Sequence, residues 1–435
     1  MKNAPGRTVS LAVAAVLFGA SQGLAQDPAF RPVFGGRAGV GTIKQAVDLT
    51  VDVAEAYDDN LLADSGTVLP SLFQVSGFYT LLTPRVAVKS NSDRFQIALN
   101  VGSSARYFAK SKEFLVTNHD AGVGFNAEVT RHTTFELNQG VAYAPSTLNG
   151  LFPGLDAPAS GEGFPPESSY AVDAVRSYVY MTGTSLTHNV SPRAALRFNA
   201  GYRFTDIIGS HAGYSDLRSY DGGGRFTYGL NRDVKLRLGY TYRQAQYSPV
   251  LHPTEHDVEI GLEYSRPLSR TRATGVGFSV GPQRVSRALI GQESGDTYGT
   301  AADFWLKHQF GRSWSVQSGY HRGMTFTEVL QSPTYTNGIT TGVGGFLNRR
   351  TGLQISGAYS TGELALAGAP SPFATYTSNV RLEVAANRVL ATYAEYFYYF
   401  YHFDPSIQLP VGVPHDLTRN GVRAGLTLWV PVRHR

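Results

Sequence analysis

Histidines beside acidic residues are the side chains in this sequence whose types and spacing could do chemistry. His252, Glu255 and His256 lie in the stretch HPTEH, and imidazole and carboxylate groups close together can hold a zinc ion. Pro253 favours an outer loop rather than a helix here, so we interpret the stretch as a solvated loop. We therefore predict no metal site and no other cofactor.

Acid–base catalysis is a second possibility, because a β-barrel enzyme can carry a Ser–His or Asp–His pair at its outer rim. His119 with Asp120, and His321 further along, have the right residue types. The sequence has no His-Glu-x-x-His motif, and the partners of these histidines cannot be placed from sequence. We predict that the protein is not an enzyme and keep a rim enzyme as an alternative.

The glycine-rich stretch Gly35–Gly41 (GGRAGVG) has the composition of a phosphate-binding loop. Such a loop needs a strand before it and a helix after it, so that backbone N–H groups point at the phosphate. The sequence predicts neither element here. We interpret the stretch as a flexible lead-in to the first strand.

Charged residues between positions 176 and 263 could attract a solute rather than react with it. In one interpretation, Arg237 and Arg243 pair with Glu259 or Glu263 across neighbouring strands. In the other, the basic residues form a sector that attracts anionic solutes or an acidic polymer. The predicted channel-lining residues are Arg197, Arg203, Arg225, Arg237, Arg243, Glu259, Glu263 and Glu395.

The run Tyr393–Phe403 (YAEYFYYFYHF) is mostly aromatic. One alternating set fits an aromatic girdle at a membrane interface, where rings accept both lipid and water. Glu395 marks the other set as inward-facing. That inner set packs against an inward-folded loop or, alternatively, stacks on sugar rings. The predicted sugar-stacking residues are Phe397, Tyr399 and Tyr401.

Long strands must position these side chains, and the sequence alternates apolar and polar residues with a period of two. Residues 233–243 show the pattern, with Val234, Leu236 and Leu238 on one face and Lys235 and Arg237 on the other. The alternating runs, of about 10 to 16 residues, exceed the usual length of soluble strands and suit a tilted strand that crosses a bilayer. Similar runs occupy residues 95–101, 133–143, 193–205, 257–265, 379–385 and 422–430.

Turns of two kinds separate the predicted strands. Eight short polar turns lie near residues 91–92, 131–132, 191–192, 232, 268–269, 311–312, 349–350 and 387–388. Nine longer loops lie near residues 58–72, 108–115, 145–172, 207–216, 247–254, 287–296, 327–334, 363–375 and 404–416. These connections predict eighteen strands, with sixteen as the alternative because residues 173–190 and 334–347 are weakly patterned.

The predicted fold class is therefore all-β: a transmembrane antiparallel β-barrel with short periplasmic turns and long extracellular loops. A soluble sandwich or propeller would have shorter strands and less regular turns. Lys2, Arg7, the apolar residues 11–20 and the small residues near Ala25 predict a cleavable signal peptide. We predict a signal peptide at residues 1–25, a periplasmic lead-in at 26–44 and the barrel at 45–435.

Composition excludes several classes of protein. The sequence has no Cys, so it has neither disulfides nor thiolate chemistry. Its formal net charge is +5, but the basic residues are spread along the chain and an exported protein does not meet nucleic acid. We predict no nucleic-acid partner; the expected partners are outer-membrane lipid and lipopolysaccharide, the barrel-assembly machinery and a polysaccharide or small solute.

Three short stretches resemble outer-membrane barrels of the "β-barrel porin 2" type. They are Phe78–Lys89 with the following 95–107 strand, Asn189–Arg193 (NVSPR), and Asn420–Val430 (NGVRAGLTLWV). The resemblance implies an outer-membrane barrel associated with exopolysaccharide production and gives no catalytic residues. The chain departs from many outer-membrane barrels in ending on Arg435 rather than on an aromatic residue.

The predicted function is an outer-membrane, porin-like channel. It would pass small hydrophilic solutes or export an acidic exopolysaccharide. The alternatives are the rim enzyme and a structural or adhesive barrel with a plugged lumen.

Overall fold

The computed structural model describes residues 44–60, 76–108, 114–143, 177–208, 216–247, 251–269, 272–287, 295–311, 313–326, 330, 332–365, 371–409 and 414–434. The predicted signal peptide, nearly all of the lead-in with Gly35–Gly41, and the loop at 145–172 lie outside these residues. Among the described residues, no helix has the length and apolar character needed to cross a membrane.

The described chain forms eighteen antiparallel strands. They are β1 (Gln45–Asp58), β2 (Gly77–Asn91), β3 (Phe95–Phe108), β4 (Phe114–Thr130), β5 (Thr133–Tyr143), β6 (Ser177–Ser191), β7 (Ala194–Ile207), β8 (Leu217–Gly229), β9 (Val234–Gln246), β10 (Thr254–Ser269), β11 (Arg272–Arg287), β12 (Gly295–Phe310), β13 (Trp314–Phe326), β14 (Pro333–Asn348), β15 (Thr351–Leu364), β16 (Pro372–Ala385), β17 (Leu390–Phe403) and β18 (Asp416–His434).

Closure of the sheet defines the architecture. Each strand pairs with its neighbours in sequence, and β18 also pairs with β1 over the register from Ala46↔His434 to Asp58↔Gly421. A barrel closed in this way has no edge strand, because every strand has a neighbour on both sides. The prediction of eighteen strands is confirmed, and the alternative of sixteen is wrong because the weakly patterned segments form β6 and β14.

The short turns are built by polar side chains that bind the local backbone. The Asn231 Oδ1 atom accepts hydrogen bonds from the N–H groups of Asp233 and Val234, each at 2.8 Å. Asn387 makes the same arrangement with the N–H groups of Val389 and Leu390 at 2.8 and 2.9 Å. Asparagine favours such turns because its side chain competes well for nearby N–H groups. All eight predicted short turns connect strands as expected.

Alternate residues along each strand face opposite sides of the barrel wall. On β10, Val258 and Ile260 are about half exposed on the outer face, while Glu255 on the opposite parity is buried inside. An outer face of exposed apolar side chains is stable only against an apolar surrounding such as lipid. One expectation was wrong here: the outer loop predicted for HPTEH ends earlier, and Glu255 and His256 already belong to β10.

The inner space is filled unequally around the barrel. A buried cluster on β15 to β18 joins Phe373, Phe397, Tyr399 and Leu417 with residues from two of the longer connections, including Ile407. A second cluster packs Tyr79, Leu81 and Phe108 against Tyr393. In contrast, the inner faces of β5 to β10 carry mainly charged and small side chains. The charged side of the interior is therefore the candidate for a solute path.

The end of β13 that leads into a longer connection separates from β12 but stays paired with β14. Pairing between β12 and β13 ends at Ala302↔Arg322, although β12 itself begins at Gly295. The ring of Phe326 lies 6.4 Å from the ring of Tyr247, which follows β9. The last residues of β13 therefore contact the inner surface four strands away.

Candidate functional site

A chain of ion pairs on β8 to β10 forms the centre of the charged side of the lumen. Arg237 donates from Nη2 to Glu259 Oε2 at 2.9 Å and from Nη1 to Glu263 Oε1 at 3.1 Å. The other oxygen of Glu259 accepts from Arg225 Nε at 2.9 Å. Glu259 is therefore shared by two guanidinium groups, one on each of the two preceding strands. The predicted pairing of Arg237 with these two acids is confirmed.

Arg197 begins the same charged side on β7. Its Nη2 atom lies 2.7 Å from Glu136 Oε2 and 3.1 Å from Ser185 Oγ. Ser185 Oγ in turn donates to Glu136 Oε2 at 2.7 Å. Arg203 lies on the same inward parity of β7. Each of these arginines comes from an alternating strand whose apolar partners, such as Phe198, face outward.

Arg243 has a different partner from the predicted one. It pairs with Glu255 Oε2 at 3.1 Å rather than with Glu259 or Glu263, because the β9–β10 register places Arg243 directly opposite Glu255. Gln283 Nε2 donates to the same glutamate at 2.7 Å. The interpretation that the basic residues are paired thus holds for Arg243, but with an acid nearer the start of β10.

Exposure separates the arginines into two groups. The side chains of Arg197, Arg225 and Arg243 remain 30%, 41% and 37% exposed, whereas that of Arg237 is 10% exposed. The first three can still donate to a solute while their acid partners neutralise much of their charge. This arrangement suits weak, reversible attraction of anionic groups, because permeation requires that binding is weak enough to release the solute.

A second charged network on β16, β17, β18 and β1 was largely missed by sequence reasoning. Glu395 lies between Arg381 and Arg423, at 3.6 and 3.7 Å, and it accepts a hydrogen bond from Asn379 Nδ2 at 2.6 Å. Arg381 also lies 3.9 Å from the ring centroid of Tyr393. The signal was present in the sequence, since Arg381 and Arg423 share the inward parity of their alternating strands.

A buried ion pair lies near the long-connection rim, on the same strands β1 and β18. Arg419 and Asp58 are both fully buried across β18 and β1, and Arg419 donates from both Nε, at 2.7 Å, and Nη2 to the same Asp58 Oδ2 atom. Charges so deeply buried require well-formed partners. This part of the interior is therefore a structural core rather than a solute path.

The inner aromatic residues of β17 pack as core. Phe397, Tyr399 and Tyr401 are 0%, 2% and 0% exposed, and their cluster includes Ile407 from the following connection. Gly421 on β18 makes room for them, because a Cβ atom there would lie 2.0 Å from the ring of Phe397. The predicted packing against an inward-folded loop is confirmed. Sugar stacking remains a prediction that would require this loop to move.

The histidines considered for catalysis are separated by the strand alternation. His119 faces outward and shares a 2.8 Å hydrogen bond with Ser103, whereas the neighbouring Asp120 faces inward against Gly102. His321 contacts Asp303 inside the barrel at 2.6 Å. On β10, Glu255 points inward and His256 points outward to Tyr240. Among the described residues, no group of three or more possible metal ligands was found.

A hydrolase-like stretch was overlooked in the sequence. Residues 277–281 (GFSVG) fit the Gly-x-Ser-x-Gly consensus, but this motif acts at a strand-to-helix turn, and here it lies within β11. Ser279 Oγ accepts a hydrogen bond from Arg237 Nη2 at 2.6 Å. In the register, Asp303 lies between Ser279 and His321, so the histidine is not placed to take the serine proton.

Comparison with solved structures finds proteins that match most of this chain at low sequence identity. OccAB2 of Acinetobacter baumannii is 12% identical, covers 89% of this chain and 98% of its own, and has a TM-score of 0.43. OccK8 (OprE) of Pseudomonas aeruginosa has the same identity and coverage and a TM-score of 0.45. The outer membrane protein opdK of Pseudomonas aeruginosa is 9% identical over 88% of this chain and 99% of its own, with a TM-score of 0.41.

No family model matches the sequence, and no curated protein matches it. The resemblance to the "β-barrel porin 2" type therefore stays a prediction. The likeness to the solved structures assigns neither a family nor a solute to this chain.

Proposed function

We propose that this chain is an outer-membrane channel through which small hydrophilic solutes diffuse along the charged inner face of β7 to β10. The observation that carries the proposal is the set of partly exposed guanidinium groups inside a closed barrel whose outer face is apolar. An eighteen-stranded barrel is wide enough to enclose an aqueous path.

The charge pattern favours solutes that carry an anionic group. Arg225 is more exposed than Arg197, Arg237 and Arg243, and it shares Glu259 with the less exposed Arg237. A solute carboxylate or phosphate can accept hydrogen bonds from Arg225 without displacing Glu259 entirely, because a guanidinium has five N–H donors. Acids on the same side of the lumen, such as Glu263, lower the positive electrostatic potential there. We therefore expect a preference for anions rather than the exclusion of cations.

Single-channel recording tests this proposal. The barrel, folded in detergent and inserted into a planar bilayer, is expected to conduct, and a salt gradient is expected to give a reversal potential that favours anions. Arg225→Gln should reduce that preference, while Tyr398→Ala on the outer face of β17 should leave it unchanged. A folded barrel that does not conduct would reject the channel. Conduction with an unaltered reversal potential in Arg225→Gln would reject the role of the arginine.

A more specific form of this function is the export of an acidic exopolysaccharide through the same channel. Its support is the sequence resemblance and the basic residues of β7 to β9. We keep it as a proposal to be tested by blocking the channel current with acidic and neutral oligosaccharides. A block by acidic chains that depends on Arg197 and Arg225 would favour export over general diffusion.

A further inference from the structure

Two neighbouring rows of side chains on the outer face of β13 to β17 differ sharply in polarity. The strand register aligns one row of Tyr320, Ile339, Tyr359, Tyr376 and Phe400. The next row, two residues closer to the longer connections, consists of Arg322, Asn337, Thr361, Ala374 and His402. Aromatic side chains collect where the apolar part of a membrane ends. The polar row therefore lies at the level of the lipid head groups.

The polar row lines a cavity of about 390 Å³ in this outer surface. Thr336 and Ser360, which alternate with Asn337 and Thr361 along β14 and β15, are buried inside the barrel. The cavity thus faces the surroundings of the barrel and not its lumen. In the barrel layout the longer connections are extracellular, and the lipid on that side of an outer membrane is lipopolysaccharide.

Arg322 is held in this cavity by a tyrosine and not by an acid. Its Nε atom donates to the Tyr335 hydroxyl at 2.8 Å, and its guanidinium carbon lies 5.2 Å from the centre of the Tyr335 ring. The same hydroxyl donates to the carbonyl of Thr300 at 2.6 Å and accepts from its N–H group at 3.1 Å. In the part of the chain that the structure describes, no carboxylate pairs with Arg322. Its exposed terminal N–H groups can therefore bind an anion.

Further hydrogen-bonding groups extend along the row. Asn337 lies directly opposite Arg322, and its Oδ1 atom accepts from the Tyr320 hydroxyl at 3.3 Å, which leaves the Nδ2 donor for another acceptor. At the far end, His402 binds Asp416 through Nδ1, so its Nε2 atom can exchange a hydrogen bond with a hydroxyl group. The backbones of β13 and β17 are four strand spacings apart, about 19 Å. This width suits linked sugars better than a single small head group.

Glu363 is the one acidic side chain that lines the cavity. It lies opposite Tyr335, one row farther from the apolar row than Arg322 and Asn337. A carboxylate does not suit a phosphate at that level, but it accepts hydrogen bonds from sugar hydroxyls. The order along the surface is therefore an apolar row, then donors for an anion, then an acceptor for hydroxyls. That order matches the acyl chains, phosphates and outer sugars of lipopolysaccharide.

We propose that this cavity binds the phosphorylated sugar head group of lipopolysaccharide. A phosphate would accept hydrogen bonds from Arg322 and Asn337, because guanidinium groups form strong charge-assisted bonds with phosphate. Sugar hydroxyls would contact Glu363, and acyl chains would cover Ile339 and Tyr359, which are each 47% exposed. This inference rests on the outer-membrane location in the proposed function, but not on conduction.

Native mass spectrometry of the barrel, refolded in detergent without lipid, tests the site. The probes are bisphosphorylated lipopolysaccharide, the same lipid after removal of its phosphates, and phosphatidylglycerol. We expect one tightly held molecule of the first probe per barrel and weaker binding of the other two. Arg322→Gln should weaken binding of the first probe about tenfold, because it removes a charge-assisted contact, and Asn337→Ala about threefold. Neither variant should change the binding of the dephosphorylated lipid.

Arg284→Gln is the matched control, since Arg284 also faces outward near the rim but pairs with Asp296 at 2.7 Å, outside the cavity. Its lipid binding should equal that of the wild type. The proposal is overturned if the wild type holds no lipopolysaccharide, or if Arg322→Gln and Asn337→Ala, shown to be folded by heat-modifiable migration, bind it as the wild type does. It is also overturned if phosphatidylglycerol binds as tightly as lipopolysaccharide. Conductance of the same samples keeps the two proposals separate, because a lipid-binding barrel that does not conduct would reject only the channel.

Discussion

Arg243 donates from Nη1 to the backbone carbonyl of Met324 at 3.4 Å, across 81 positions of sequence. This bond ties β9 to the inward-turned end of β13, and Phe326 packs near Tyr247 beside it. Arg243 is itself fixed by Glu255. The Arg243–Glu255 pair thus anchors the end of β13, which lies across part of the lumen. The width of the proposed solute path therefore depends on Arg243, which also lies on the charged side of that path.

Replacing Arg243 should therefore widen the channel. In Arg243→Gln, the end of β13 loses its anchor, and we expect a higher single-channel conductance with more frequent switching between current levels. Arg197→Gln is the control, because Arg197 pairs with Glu136 on the same side and has no contact with β13. Equal conductance in Arg243→Gln and the wild type would show that the bond does not hold the segment.

Arg237 should matter for stability more than for selectivity. Its replacement by Gln leaves Glu259 and Glu263 without their common partner in a poorly exposed site. We expect the free energy of unfolding to fall by about 1 to 3 kcal/mol, less than for a fully buried pair because Arg225 still compensates Glu259. Urea unfolding in detergent micelles measures the change. Arg225→Gln, at a more exposed position, should lower the stability less; the reverse order would contradict the assignment.

The architecture was predictable because it depends on local patterns. Alternation along residues 233–243 and 257–265 placed Arg237, Glu259 and Glu263 on the inner face, and polar turns such as Asn387-Arg388 marked the strand ends. Each of these signals lies within one hairpin. Inward parity and the even strand count could therefore be read without knowing any distant contact.

The details of the site depend on register and on distant contacts. The pairing of Arg243 with Glu255 depends on the register between β9 and β10. That register shifts with the number of residues assigned to the connection between the two strands, and the sequence does not fix this number. The inward turn of β13 depends on Arg243 and Tyr247, which lie far away in sequence. None of these contacts leaves a periodic signal, so alternation alone could not predict them.

The buried pair of Arg419 and Asp58 should hold the closure of the barrel near one rim. Arg419→Met leaves the Asp58 carboxylate buried without its partner, and we expect a loss of about 3 to 5 kcal/mol in the free energy of unfolding. Heat-modifiable gel migration and urea unfolding measure this loss. The double variant Arg419→Met with Asp58→Asn should recover much of it, because the buried charge is gone. Failure of the double variant to recover stability would indicate that hydrogen bonding, rather than charge, dominates this site.

The aromatic residues inside β17 should act by packing. Tyr401 is fully buried between Tyr399 and Phe403, with ring centroids 5.9 and 5.1 Å away. Tyr401→Ala removes this contact area and should cost about 3 to 5 kcal/mol of unfolding free energy, as for other large aromatic truncations. Tyr398→Ala, on the outer face of the same strand, should cost less.

Because the inner rings are covered by Ile407 and Leu417, we expect oligosaccharide block of the channel current to be the same in Tyr401→Ala and the wild type. Loss of the block in Tyr401→Ala but not in Tyr398→Ala would instead establish that the loop opens and that the inner rings bind sugar.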